Sequence, residues 1–132
     1  MSRKHHFLAP LLESGRAKLA FRLERTGSTL AEHLELASDS KARTRGLLGR
    51  AGMADSSVLV IAPCNAVHTF FMQFTIDVVF ADRAGRVVKV CRQLKPWRIG
   101  AALGAFAALE FPAGVADRSG VVKGDRVEVV QK

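Results

Sequence analysis

The spacing of apolar and polar positions predicts a chain made mainly of short β-strands. Residues 19–24 and 30–36 each alternate between apolar and polar side chains, as half-buried strands do, and the turn residues 26–28 lie between them. These two segments are therefore predicted to form a hairpin. Residues 58–62 are a continuous apolar run closed by Pro63, which is typical of a fully buried strand.

The second half of the chain contains the clearest hairpin pattern. Residues 76–81 and 87–91 are rich in β-branched side chains and are joined by residues 82–85, a turn sequence that ends in glycine. Residues 99–105 are small and glycine-rich, and they predict a loop or an irregular turn of helix. Further short strands are predicted at residues 108–111 and 126–130.

Helices are few in this pattern. Ser38, Asp39 and Ser40 predict a helix N-cap, and the glycines between residues 46 and 49 predict the end of that helix. Residues 114–118 predict one further helical turn. The pattern lacks long helical crossovers, which argues against a doubly wound parallel sheet. The predicted fold is mainly β (α+β), a single compact barrel-like or sandwich domain of short, mostly antiparallel strands with one or two covering helices.

Residues 1–17 are predicted to be a loosely attached N-terminal arm or a short helix, and residues 18–132 a single β-rich domain. The sequence has no apolar run near the ~20 residues that a membrane-spanning helix needs. The apolar stretch near the start is broken by Pro10 and ended by Glu13, so neither a signal peptide nor an anchor is predicted. The expected location is the cytoplasm, where both cysteines would be reduced thiols.

Charge indicates the kind of partner rather than the fold. Twenty Lys and Arg against twelve Asp and Glu give a net charge of +8, which favours acidic partners. Residues 40–54 and 83–98 contain bases and no acid. In a strand, alternate bases point to opposite faces, so specific nucleic-acid binding is not favoured. The second segment is still a candidate surface for nucleic acid or an acidic partner, formed by Arg83, Arg86, Lys89, Arg92, Lys95, Trp97 and Arg98.

Reactive side chains and aromatic residues coincide between residues 64 and 82. Cys64, His68 and Met72 are spaced by four, so on a helix they would offer soft ligands to one metal ion. Pro63 and the β-branched and aromatic residues that follow argue against a helix. No metal site and no cofactor are predicted.

Two carboxyl groups are candidates for catalysis or binding. Asp77 would orient Cys64 or His68 as a nucleophile or base, although an aspartate that accepts hydrogen bonds from nearby backbone is the more common structure. Glu110 points opposite to its neighbours in a strand. It faces either solvent or the interior, and an interior Glu110 is expected to pair with Arg45 or Arg50.

Three segments together resemble a known family. They are Arg45-Gly-Leu-Leu-Gly-Arg50, then His68-Thr-Phe-Phe-Met72 followed by Ile76-Asp77-Val-Val-Phe80, and finally Leu109-Glu110-Phe-Pro-Ala-Gly114 followed by Gly124-Asp125. In this order they resemble the bacterial and archaeal family "domain of unknown function 192" over roughly residues 30–130. The resemblance implies a compact, mainly β fold and no assigned activity.

The first functional hypothesis is a small non-enzymatic binding or accessory domain that presents a groove to an acidic ligand or protein partner. Its expected ligand-binding residues are Arg45, His68, Asp77 and Glu110. The alternative is a small hydrolase or metal-assisted enzyme that uses His68 and Asp77, with Cys64 or Glu110. The third hypothesis is nucleic-acid binding through the hairpin at residues 83–98.

Overall fold

The structure, a computed structural model, describes residues 6–13, 15–37 and 39–132. Over these residues it is mostly β, with ten strands and two short α-helices. The strands β1 to β10 are Leu19–Leu23, Thr29–Ala31, His33–Ala37, Ser57–Ile61, Ala66–His68, Ile76–Ala81, Val87–Leu94, Ile99–Ala101, Ala107–Pro112 and Val127–Gln131. The helices are α1, Ser40–Arg45, and α2, Val115–Ser119, and two 3₁₀ helices, Ala9–Leu12 and Arg16–Lys18, precede β1. None of the helices in the described ranges has the length and apolar character that crossing a bilayer requires.

The described strands form three sheets. The central sheet has five strands in the order β3-β4-β9-β6-β7, and the other two are β10-β1-β2 and the two-stranded ribbon β5-β8. Strands β3 and β4 are parallel, whereas the remaining pairs are antiparallel. The predicted mainly β fold with mostly antiparallel strands is therefore confirmed, as layered sheets rather than a closed barrel.

The central sheet is covered on both faces, and alternate side chains of its middle strand β9 pack into a different core on each face. Successive side chains in a strand point to opposite faces. Leu109 and Phe111 pack in one core with Phe21 of the three-stranded sheet. Ala108 packs in a second core with Val67 of the ribbon. Glu110, two residues after Ala108, lies on this second face.

Local sequence signals explain most of these elements. The predicted hairpin at residues 76–81 and 87–91 is formed by β6 and β7. Helix α1 begins after Asp39, whose carboxylate accepts a hydrogen bond from the Ala42 amide at 2.8 Å. It ends at Gly46, which adopts a φ of 48°. The predicted N-cap residue Ser38 lies outside the described residues.

Two predicted elements differ from the structure. Residues 30–36 do not form one strand, because the amides of Glu32 and His33 both donate to the Ser56 carbonyl, at 2.8 and 3.0 Å. The chain therefore moves between sheets at this point, and only β2 continues the hairpin with β1. Residues 99–101 are a strand rather than a loop or helical turn, because they pair with β5.

The segment before β1 contributes to the first core. Leu8 and Leu11 are buried there, and the Phe7 amide donates to the Arg83 carbonyl at 2.8 Å. The described part of this segment therefore packs on the domain, and it includes the short helix Ala9–Leu12. Residues 1–5 and 14 of that predicted arm lie outside the described residues.

Candidate functional site

A solvent-open cavity of about 470 Å³ lies on the second face of the central sheet. Its walls come from α1 and the turn after it, from residues 61–68, and from β9. Apolar side chains such as Leu47, Val67 and Met72 form part of the walls. This volume is within the usual range for sites that bind small molecules. The polar lining residues are Arg43, Arg45, Cys64, Asn65, His68 and Glu110.

Glu110 lies at the buried end of this cavity. Its strand β9 is central in the five-stranded sheet, and the residue is only 3% exposed. Its Oε1 atom has no hydrogen-bond partner among the described residues. Burial raises the pKa of Glu110 to about 7, an effect that the positive charge of Arg50 partly opposes. The carboxyl group can therefore be neutral or ionised close to neutral pH.

The predicted ion pair between Glu110 and an arginine is not present among the described residues. Arg50 instead binds Glu35 through two hydrogen bonds of 3.1 and 2.7 Å. Arg45 is exposed at the end of α1 and lines the cavity without an ion pair to Glu110 in the described part of the chain. Strand β3, which carries Glu35, supplies a surface partner for Arg50, and this leaves Glu110 to face the cavity.

His68 lies in the ribbon strand β5, where it is exposed and lines the cavity. Its Nδ1 atom accepts a hydrogen bond from the Phe70 amide at 3.3 Å. A neutral imidazole therefore carries its proton on Nε2 and can act as a donor. His68 and Glu110 thus line one cavity from two different sheets.

Cys64 also lines the cavity, but it lacks the features of a nucleophile. Its thiol donates to the Ala66 carbonyl at 3.1 Å, and burial raises the pKa of this thiol. Reactive cysteines need a lowered pKa, so Cys64 is expected to remain protonated at neutral pH. Cys64 and Cys91 are both free cysteines.

The spacing of Cys64, His68 and Met72 brings all three to the cavity wall without a helix. Met72 follows β5 in a loop. The described residues contain no group of three or more His, Cys, Asp or Glu side chains placed to hold a metal ion.

The Asp77 side chain is hydrogen-bonded to backbone amides and is not part of the cavity lining. Its carboxylate accepts hydrogen bonds from the amides of Gln93 at 2.8 Å, Gly114 at 3.0 Å and Ala116 at 2.8 Å. Asp77 thus connects β7 to the start of α2. Such contacts satisfy amide groups at a helix start that would otherwise lack acceptors.

Strand register explains why Asp77 and Glu110 do not meet. Asp77 lies opposite Phe111 in the β6–β9 pair, whereas Glu110 lies opposite Val78. Directly paired residues share a face of the sheet, so the two carboxyl groups point to opposite faces. The structure therefore does not bring the predicted site residues Asp77 and Glu110 together on one face of the sheet.

The bases between residues 83 and 98 do not form one continuous surface. Only Lys89 and Arg92 lie on β7, and the other bases lie in the turn before it or in the loop after it. Their cationic groups contact separate parts of the domain: Arg83 the Phe106 ring, Arg86 the Gly124 carbonyl, Lys89 the Ala101 carbonyl, Arg92 Asp117 and the Val121 carbonyl, and Arg98 the carbonyls of Pro96 and Trp97.

The sequence-based prediction omitted two polar residues of the cavity, Arg43 and Asn65. The acid-free segment 40–54 contains Arg43, but a six-residue helix has too few turns to reveal which side it buries. No local sequence pattern marks Asn65 as a site residue, because its position at the cavity depends on long-range pairing between β5 and β8.

The fold and the cavity together define a mostly β domain with a small, solvent-open pocket around a buried carboxyl group. The family model of DUF192, described as "Uncharacterized ACR", matches residues 21–129, and the chain belongs to this family. A curated "UPF0127 protein" of Thermococcus sibiricus (strain DSM 12597 / MM 739) is 36% identical over 64 residues. That match spans 48% of this chain and 41% of the relative's length.

Two crystal structures share the fold. A protein of unknown function from Novosphingobium aromaticivorans DSM 12444 matches with a TM-score of 0.68 and 24% identity, over 83% of this chain and 82% of its own. A putative transcription regulator from Sinorhizobium meliloti 1021 matches with a TM-score of 0.72 and 24% identity, over 84% of this chain and 91% of its own. At this level of identity the likeness concerns the fold alone.

Proposed function

We propose that this protein is a binding domain that holds a small acidic molecule in the Glu110 cavity. The observation that carries this proposal is a buried carboxyl group whose Oε1 atom lacks a partner among the described residues and which lines an open cavity with two arginines. Leaving a buried polar atom unpaired is costly, so an unpaired carboxyl oxygen at an open cavity calls for a partner from outside the chain.

The lining residues suggest how the ligand is oriented. Guanidinium groups of Arg43 and Arg45 suit a carboxylate or a phosphate, which they can bind with paired hydrogen bonds. Glu110 suits a hydroxyl or amino group that donates to it. The apolar walls, including Leu47 and Met72, suit the carbon skeleton between these ends.

The test is a binding screen with small carboxylates, phosphate monoesters and sugar acids that also carry a hydroxyl or amino group. Arg45→Gln and Glu110→Gln are each expected to weaken binding by about tenfold or more, because charge-assisted hydrogen bonds contribute roughly 1.5–3 kcal/mol. Arg22→Gln is the matched control, since Arg22 is paired with Glu128 on the three-stranded sheet. The proposal fails if no compound binds, or if ligands bind both cavity variants as tightly as the wild type.

A general acid–base enzyme is the second candidate, because a carboxyl pKa near 7 suits proton transfer at neutral pH. Glu110 would be the acid or base, with His68 as the neighbouring donor. Asp77 has no part in this version. This enzyme hypothesis predicts that the protein turns over an ester, phosphoester or glycan substrate. Glu110→Gln should abolish the turnover, whereas the folded fraction of Asp77→Asn should keep it.

A further inference from the structure

A second surface surrounds the ribbon β5–β8 and borders the Glu110 cavity at His68. Among the described residues, six large apolar side chains are exposed, and four of them lie on this ribbon or its flanking loops. We call these four residues the ribbon patch: Phe71, Trp97, Ile99 and Leu103. Leu103 is 97% exposed and Phe71 is 71% exposed, so the patch is open to solvent.

The aromatic residues of the patch lie together at one end of the ribbon. The rings of Phe71 and Trp97 lie 4.6 Å apart between centroids, and Phe70 lies 5.9 Å from Trp97. Ile99 is paired with His68 on the outer face of the ribbon, where both are exposed. Exposed aromatic and aliphatic side chains therefore occur together at the His68–Ile99 end of the ribbon, and Leu103 follows its other end.

The backbone conformation at Phe71 and Trp97 shows that the fold itself holds these side chains in exposed positions. Phe71 and Trp97 have φ angles of 66° and 67°, in the left-handed region that bulky residues rarely adopt. Such strain persists only where the surrounding structure enforces it, and it is concentrated at functional positions. The cost of this backbone strain is not offset by burial of the side chains, because those of Phe71 and Trp97 are both exposed.

Thr69 holds the backbone of these two loops in place. It is fully buried, and its hydroxyl donates to the Lys95 carbonyl at 2.6 Å and accepts from the Arg98 amide at 2.9 Å. Its own carbonyl accepts from the Trp97 amide at 3.0 Å and the Met72 amide at 3.1 Å. The loops that carry Phe71 and Trp97 are thereby held together.

Cations border the patch. The Lys89 ammonium donates to the Ala101 carbonyl at 2.9 Å, which places a positive charge beside the ribbon. The Arg98 guanidinium donates to the Trp97 carbonyl at 3.3 Å, and Lys95 is exposed in the same loop. Residues 83–98 contain no acid to neutralise these charges.

We propose that the ribbon patch inserts into the surface of an anionic lipid bilayer. Tryptophan and phenylalanine favour the interface between headgroups and acyl chains, while aliphatic side chains gain by entering the apolar region. Lysine and arginine beside them are attracted to anionic headgroups. Single-stranded nucleic acid would stack on the rings, but it would offer no apolar environment to Ile99 and Leu103.

Trp97 provides a direct test, because it is the only tryptophan and the chain has no tyrosine. On mixing with vesicles of phosphatidylcholine and phosphatidylglycerol, its emission is expected to shift to shorter wavelength and to be quenched by lipids brominated on the acyl chain. Vesicles of phosphatidylcholine alone are expected to bind more weakly, and salt is expected to reduce binding to the anionic vesicles.

Variants separate insertion from folding. Phe71→Asn combined with Leu103→Ser is expected to reduce vesicle binding at least tenfold without unfolding, since asparagine tolerates a left-handed φ. Leu12→Ser is the matched control, because Leu12 is exposed but lies outside the patch. Lys95→Gln and Arg98→Gln should each lower the partition coefficient about fivefold.

Glu110→Gln is expected to leave vesicle binding unchanged, so this proposal can fail or succeed independently of the cavity ligand. It is overturned if Trp97 emission does not shift with anionic vesicles, or if the Phe71→Asn/Leu103→Ser variant binds as well as Leu12→Ser. A Trp97 response to single-stranded oligonucleotides without a response to vesicles would also overturn it.

Discussion

Two buried carboxyl groups on neighbouring strands have different surroundings. Asp77 accepts three backbone hydrogen bonds, while the Oε1 atom of Glu110 has no partner among the described residues. A strand pattern predicts that Glu110 points away from Leu109 and Phe111. It does not predict which face is covered, because that depends on how distant segments pack.

Glu110→Gln should make stability less dependent on pH. Folding raises the pKa of Glu110 from 4.5 to about 7, so its neutral form is favoured in the native state. The wild-type protein is therefore expected to lose up to about 3 kcal/mol of unfolding free energy as the pH rises through this range, and glutamine avoids this loss. Urea unfolding of both proteins from about pH 4 to about pH 8 measures the difference.

Glu128→Gln is the control for this experiment, because it removes a partly exposed carboxyl group on the three-stranded sheet and leaves Glu110 and its pH dependence in place. Parallel stability curves for the wild type and Glu110→Gln would contradict the raised pKa.

Asp77→Asn should destabilise the fold without altering the cavity. The amide side chain has one acceptor oxygen and no charge, so either the Gln93 amide or the amides of both Gly114 and Ala116 lose their acceptor. The expected loss is about 3 kcal/mol of unfolding free energy. Chemical unfolding checks this value against the exposed control Asp117→Asn, and a loss below that of the control would contradict the structural role.

Among the secondary-structure elements, the sequence predicts strands well where a turn joins adjacent partners, as in β6 and β7. It fails where pairing is distant. Residues 99–101 have weak strand character, and only the pairing with β5 makes them a strand. The division of residues 30–36 likewise depends on the Ser56 carbonyl, which the local alternation cannot indicate.

Thr69→Val tests the connection between the two loops that flank the ribbon. Valine has the same shape but cannot bond to the Lys95 carbonyl or the Arg98 amide. The expected cost is about 1–3 kcal/mol, with faster hydrogen exchange at the Arg98 amide. Thr26→Val, at an exposed turn, is the control, and unchanged exchange at Arg98 would show that Thr69 does not hold the loops.

In the molecule as a whole, the cavity depends on a convergence that no local pattern contains. Arg45, His68 and Glu110 are far apart in sequence and meet because α1, the ribbon and β9 share one face of the central sheet. Residue type and the family resemblance identified these three candidates. The register of β6 and β9 excluded Asp77, and the sequence does not supply that register.

The N-terminal segment also contributes to the stability of the whole domain. Leu11 is 2% exposed in the first core, whereas its neighbour Leu12 is 58% exposed. Leu11→Ala should therefore lower the unfolding free energy by about 2–4 kcal/mol, and Leu12→Ala by much less. Equal effects in denaturant unfolding would mean that this segment does not stabilise the domain.

Glu110 should behave in solution as a buried, readily protonated carboxyl group in an open cavity. Titration of the ¹³C-labelled Glu110 side chain by NMR tests this directly, with assignment from the Glu110→Gln spectrum. A pKa near 7 is expected, well above that of exposed glutamates. A pKa near 4.5, shared with the surface carboxyl groups, would contradict the assignment of Glu110 as the buried acid of the cavity.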